Sequence, residues 1–182
     1  VETEELPEKP KVIDRVAPYP MYRDVPLSKA TVKGIYEFQE DTPYIKERYS
    51  WKMASDWGFF PYDGIEHHPF AWVQRLAQHK QQTDVQLPLI LQEGEYALFD
   101  FSRIEAGFIT AALRAVSDCD VVISFCEYMP GDVFQFQNMN VHNVLEFFLE
   151  KDDERGLQSF EPYTFRFVMV AARKGTVVLN SL

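Results

Sequence analysis

After residue 87, apolar side chains recur at every second position in short runs cut by turn-forming residues. LPLILQEGEYALFDF (87–101) carries a turn at Glu93-Gly94, and GFITAALRAV (107–116) leads to another at Ser117-Asp118. DVVISFCEYM (120–129) reads as a strand that ends at the turn Pro130-Gly131-Asp132. DVFQFQN (132–138) alternates, and NVLEFFLEKD (143–152) sets Leu145, Phe147 and Leu149 against Glu146 and Glu150. DDERG (152–156) reads as a turn, PYTFRFVMVAAR (162–173) as a strand, Lys174-Gly175 as a turn and TVVLNSL (176–182) as the last strand. A period of two sends alternate side chains to opposite faces of a sheet. Short strands at regular spacing predict an antiparallel sandwich or barrel.

The first half has a different pattern. Residues 1–30 hold five of the eleven prolines, at 7, 10, 18, 20 and 26. Proline lacks the amide donor a sheet interior requires, so 1–30 is expected to be an extended arm and 31–182 the folded domain. VKGIYEFQE (32–40) reads as a strand around Gly34. Residues 41–65 are aromatic and irregular, broken by Gly58, Pro61 and Gly64. EHHPFAWVQRLAQHKQQ (66–82) predicts a helix: Pro69 suits a first turn, and Phe70, Val73, Leu76 and Ala77 form one apolar stripe. The expected fold is therefore mainly β, an antiparallel sandwich with one helix near 66–82 and a loop-helix insertion at about 41–86.

Composition agrees with a folded domain: 46% hydrophobic and 15% aromatic over 182 residues. A chain of this length buries roughly 70% of its unfolded surface and needs no metal or disulfide staple. The net charge of -10, with a sequence pI near 4.8, repels phosphate and argues against nucleic acid and anionic membrane as partners. Neutral ligands, sugars included, remain open. No apolar run approaches the roughly 20 residues of a membrane span. The start VETEELPEKPKVIDR has neither the basic flank nor the apolar centre of a signal peptide, and no initiator Met. We expect a processed protein or a piece of a larger one, with its compartment left open. Cys119 and Cys126 fall seven residues apart on one predicted strand, roughly 23 Å at the usual rise. A disulfide needs Cα atoms within about 7 Å, so both are expected to be thiols.

Among the acidic side chains, Glu127 is the most unusual. By alternation it shares a face with Val121, Ile123 and Phe125, the face expected to be buried, where a carboxylate needs a partner. Arg166, between Phe165 and Phe167, is one such partner; the other reading has the strand leaving the core at Tyr128 with Glu127 half covered. Asp100, Arg103 and Glu105 flank a charged stretch that reads as a solvated corner, with Gly107 supplying positive φ or close backbone approach. Glycosidase chemistry requires two carboxyls about 5–9.5 Å apart, one with a raised pKa; Glu127 with Asp100 or Glu105 is the candidate pair. His67-His68 lacks the spacing that puts two ligands on one helical face, His79 and His142 stand apart, and the cysteines lack the paired spacing of structural zinc. No metal or cofactor site is expected. A glycine-rich phosphate loop and a GxSxG elbow are both absent from the sequence. Trp51, Trp57 and Tyr62, in the aromatic loop with Phe59 and Phe60, are weak candidates for a sugar-stacking platform; the structural alternative is that they pin the loop to the sandwich.

Three segments in order, FDFSRIEAGFI (99–109), VVISFCEYM (121–129) and FEPYTFRFVMV (160–170), resemble the β-sandwich module of bacterial α-L-rhamnosidases. That family carries a segment of the form D-F-G-x-x-x-x-G-W, a strand ending in Glu, and a block F-x-P-x-x-F-R-Y. Asp100, Phe101 and Gly107 match the first, Glu127 the second, and Phe160, Pro162, Phe165 and Arg166 the third. Ser102, Phe108 and Phe167 replace the usual Gly, Trp and Tyr, and Asp118 stands where a turn Gly is common. The likeness covers about 88–182, with YRDVPL (22–27) a looser match.

The resemblance implies a concanavalin-like, jelly-roll sandwich placed before an (α/α)6 barrel that supplies the catalytic carboxylates. The implied function is a non-catalytic accessory module of a bacterial glycoside hydrolase, with no catalytic residue of its own, that packs on that barrel. A rhamnose-containing carbohydrate is the implied ligand of the whole. The alternatives are a lectin-like carbohydrate-binding module using Trp51, Trp57 or Tyr62, and a small enzyme using Glu127.

Overall fold

The computed structural model describes residues 22–40, 72–73, 76–130, 134, 137–138 and 141–182. Its strands, in chain order, are β1 (Lys29–Phe38), β2 (Leu76–Gln86), β3 (Leu89–Leu91), β4 (Glu95–Gly107), β5 (Thr110–Ala115) and β6 (Cys119–Cys126). There follow β7 (Gln137–Asn138), β8 (Val141–His142), β9 (Val144–Leu149), β10 (Glu154–Gln158), β11 (Tyr163–Lys174) and β12 (Val177–Ser181). A six-stranded sheet runs β2-β1-β4-β11-β6-β9, a four-stranded sheet runs β10-β5-β12-β3, and β7 pairs with β8. The pairings are antiparallel. The predicted sandwich is present.

Alternation explains how the sheets stack. Ala97 and Phe99 of β4, Val121, Ile123 and Phe125 of β6, Leu149 of β9, and Val168, Val170 and Ala172 of β11 face inward. They meet Leu89 and Leu91 of β3, Ala111, Leu113 and Ala115 of β5, and Val177 and Leu179 of β12. Phe99 and Phe125 are fully buried; each such side chain contributes about 1.5–3 kcal/mol through apolar burial. Turns fall where glycine is required: Gly94 and Gly175 both have positive φ, +86° and +72°.

The outer face of the six-stranded sheet is also apolar. Val32, Tyr96, Leu98, Val122, Met169 and Ala171 form a second cluster with Val73, joined by the half-buried Tyr36, Trp72, Leu76, Met129 and Phe134. Every residue of β6 is therefore buried. Gly34 is required here by close approach: a Cβ at that position would lie 2.3 Å from the His79 carbonyl oxygen and 2.8 Å from the Tyr96 ring.

Several expectations are corrected. The helix near 66–82 is not present over its C-terminal half: Trp72 and Val73 have helical backbone, but from Leu76 the chain is strand β2. The apolar spacing of Val73, Leu76 and Ala77 is outweighed by the free edge of β1, which β2 pairs along its whole length. The turn falls at Lys151-Asp152, so of DDERG only Asp152 belongs to it; Glu154–Gln158 is edge strand β10 on β5. The stretch from Asp100 to Glu105 is not a corner between strands, because β4 continues to Gly107. Gly107 has neither positive φ nor a close neighbour; the left-handed residue is Ser102, at φ 66°. Residues 1–21 and most of 41–75 lie outside the described residues.

Candidate functional site

Residues singled out in the sequence converge where β4, β11 and β6 run side by side. β11 pairs Phe165 with Glu105 and Phe167 with Asp100. Two steps along β11 thus span five along β4, and Phe101–Ile104 bulge out of the ladder. Arg166 sits opposite the bulge. Its Nε donates to Asp100 Oδ1 at 2.8 Å and its Nη2 to Asp100 Oδ2 at 2.9 Å, a bidentate fork. Ser102 N–H donates to the same Oδ1 at 2.7 Å, which holds Ser102 in its left-handed conformation. These donors, Arg166 above all, keep the Asp100 carboxyl below its ordinary range. Behind the bulge, Phe101 meets Phe165 edge-on at 5.2 Å, and Phe165 meets Phe125 at 6.2 Å. Arg166 also lies 4.7 Å from the centre of the Phe167 ring.

Glu127 is not in this cluster. β6 ends at Cys126, and Glu127 is exposed rather than buried. Of the two readings of Glu127, the one in which the strand leaves the core is the nearer, with Glu127 exposed and not half covered; the alternative Glu127–Arg166 pair is not formed, because the guanidinium fork closes on Asp100, which lies on the adjacent strand. Glu105 accepts from Arg103 Nε at 2.5 Å and lies 3.7 Å from Arg23 Nη2. Cys119 and Cys126 are both buried thiols on β6, as their spacing predicts. Among the described residues no group of three His, Cys, Asp or Glu side chains is placed to hold a metal, and no helix is long and apolar enough to cross a membrane. Trp51, Trp57 and Tyr62 lie outside the described residues.

A second cluster, not anticipated, lies on the outer face. Asp120 of β6, Glu146 of β9 and Arg173 of β11 meet there. Arg173 Nε donates to Asp120 Oδ2 at 2.5 Å, and Arg173 Nη2 contacts both Asp120 Oδ2 and Glu146 Oε1. Against β6, β11 advances from Ala172 to Lys174 while β6 moves one residue, from Val121 to Asp120. Arg173 is the extra residue of that bulge. Its guanidinium lies 5.7 Å from the Trp72 ring centre, and Trp72 meets Tyr36 edge-on at 5.0 Å. The Tyr36 hydroxyl donates to the Ala172 carbonyl at 2.7 Å, and burial pushes its phenol well above its usual range. Burial also raises the Glu146 carboxyl; Arg173 opposes that shift and Asp120 adds to it. The sequence signal for this cluster was slight. Glu146 looks like the polar phase of an amphipathic strand, and Asp120 and Arg173 like strand ends.

The chemistry available differs at the two places. Asp100 is an ionised acceptor committed to Arg166 and cannot serve as a proton donor near neutral pH. Asp120, 6% exposed, is closed to a substrate.

No protein-family model and no curated protein matches the chain. Among solved structures, it is similar to the GH78 family rhamnosidase of Bacillus sp. GL1, with 17% identity and a TM-score of 0.52 over 60% of this chain and 13% of that one. A rhamnosidase from Klebsiella oxytoca with rhamnose bound gives 12% identity and a TM-score of 0.41 over 85% of this chain and 27% of that one. At this identity the Bacillus likeness is one of fold: the chain has a rhamnosidase-like β-sandwich and spans 13% of that enzyme's length.

Proposed function

We propose that the chain is a non-catalytic β-sandwich module of a larger glycoside hydrolase of the α-L-rhamnosidase kind, and that it packs on and supports a catalytic (α/α)6 barrel. The observation that carries this reading is the fold likeness to a segment making up 13% of a rhamnosidase. The site geometry supports it. Asp100 and Glu105 are held in ion pairs with arginines, Glu127 is exposed just past the end of β6, and the protonatable Glu146 neighbours a sealed aspartate.

In this reading the docking face is the end of the sandwich at Ile109 and Ser159. Ile109 N–H donates to Ser159 Oγ, and Ser159 N–H donates to the Ile109 carbonyl. Next to these two residues in the chain, Phe108 and Phe160 are exposed, Phe160 by 98%. Exposed apolar side chains of this kind suit burial against a partner at roughly 25 cal/mol per Å².

The test is incubation of the chain with an aryl α-L-rhamnoside, alongside a rhamnose titration followed by tryptophan fluorescence. The module reading predicts no aglycone release and no saturable fluorescence change. Release abolished by Glu127→Gln would make the chain an enzyme. A saturable shift lost in Trp57→Ala would make it a carbohydrate-binding module.

A further inference from the structure

The cluster on the outer face leaves one atom unsatisfied. Asp120 Oδ1 is sealed from solvent and accepts no hydrogen bond among the described residues. A buried carboxylate oxygen without a donor is costly. Arg173 does not supply it: its Nε and Nη2 are directed at Oδ2 and at Glu146, and Oδ1 has no partner among the described residues. A ligand hydroxyl cannot reach an oxygen that solvent cannot reach. The neighbouring acid is a source of a donor, because Glu146 and Asp120 are brought side by side on the same nitrogen of Arg173. We propose that Glu146 and Asp120 form a proton-binding site: Glu146 carries one proton and donates it to Asp120 Oδ1, while Arg173 holds both carboxyls in place.

The step is a simple protonation. As pH falls, Glu146 takes one proton from water, and its new O–H closes on Asp120 Oδ1. No other group changes state, and the charge of the three side chains goes from −1 to 0. In a partly buried site two adjacent carboxylates sharing one guanidinium are incompletely compensated, and one proton removes the excess charge. The surrounding charged and titratable groups fit this assignment. Arg173 reaches Glu146 from β11 and Asp120 from β6. Tyr36 approaches from β1 and stays neutral, its phenol pushed upward by burial, and Glu93 acts on it from the turn before β4. The upward displacement of the Glu146 carboxyl, caused first by burial, has the same sense.

The linkage has a definite sign. Between the ordinary glutamate value of 4.5 and the raised value in the folded chain, the folded state binds more protons than the unfolded state. Stability from this site is complete below 4.5 and is lost as pH rises through the raised value.

The experiment is ¹³C NMR titration of the side-chain carboxyls in the folded chain and in Glu146→Gln, with denaturation midpoints measured across the same pH range. One carboxyl should titrate above the ordinary glutamate range and be missing from Glu146→Gln. The Gln amide can donate to Oδ1 permanently, so this variant should show a flat midpoint through the window and match or exceed the wild type above it. Glu146 titrating at or below 4.5 would overturn the proposal. So would a Glu146→Gln variant destabilised equally at every pH.

Discussion

Arg166 and Asp100 lie on adjacent strands and close on each other through two hydrogen bonds, 2.8 and 2.9 Å long, across the bulge that interrupts their register. The second arginine of β11 behaves alike: Arg173 occupies the register break with β6 and grips carboxylates on β6 and β9. Both irregularities in β11 pairing are therefore pinned by a guanidinium. A bulge leaves backbone groups out of the ladder and strengthens local twist, and each arginine fastens the strands where backbone pairing lapses.

Acid should weaken the first of these clamps. The Asp100 carboxyl is held below its ordinary value of 3.8 by Arg166. Its contribution to stability is complete above 3.8 and is lost as pH falls through the lowered value, because the unfolded chain then binds the extra proton. Denaturation midpoints should fall with acidification below about pH 4, and Asp100→Asn should flatten that limb while being less stable at neutral pH. An unchanged acid limb in the variant would assign the effect elsewhere.

Ser102 pays for its place in the bulge with a left-handed backbone, φ 66°. A residue with a Cβ is disfavoured there, while glycine loses chain entropy. Ser102→Gly should be neutral or raise stability by up to about 1 kcal/mol, and Ser102→Val should lower it, as read by urea denaturation.

Gly34 should admit no side chain. With the His79 carbonyl 2.3 Å and the Tyr96 ring 2.8 Å from the added carbon, Gly34→Ala should cost about 1–3 kcal/mol through overpacking. It should also loosen β2, whose backbone supplies the nearer contact. Amide exchange in Leu76–Gln86 is the measurement, and unaltered protection there would contradict the packing described.

If the end carrying Phe108 and Phe160 is a docking face, the chain alone should self-associate through it. Sedimentation velocity should show association that diminishes in the Phe108→Ser, Phe160→Asp double variant. A monodisperse wild type would count against that face.

The sequence discloses strands most plainly where one face is buried and the other open, as in β1 and β5. It misleads where that contrast is missing. β2 and β10 are edge strands, mostly exposed on both sides, so no period of two is imposed on them. β2 also carries residues such as Leu, Ala, Gln and Lys that favour helix in isolation, until pairing with β1 overrides propensity. β6 fails in the opposite sense: covered on both faces, it does not show from its pattern where burial stops, so the sequence leaves both a buried and a half-covered Glu127 open. The Asp100–Arg166 clamp and the Asp120–Glu146–Arg173 cluster each join strands distant in sequence. Their members are legible as charges in apolar strands, but their partners follow only from strand order and register.

The central claim is that the motif charges hold the framework together instead of performing chemistry. A double-mutant cycle on Asp100→Ala and Arg166→Ala, followed by chemical denaturation, tests it most directly. The account predicts that each single variant is destabilised and that the double variant is scarcely worse than either, since removing one partner already abolishes the clamp. Strictly additive losses, or single variants as stable as the parent, would contradict it.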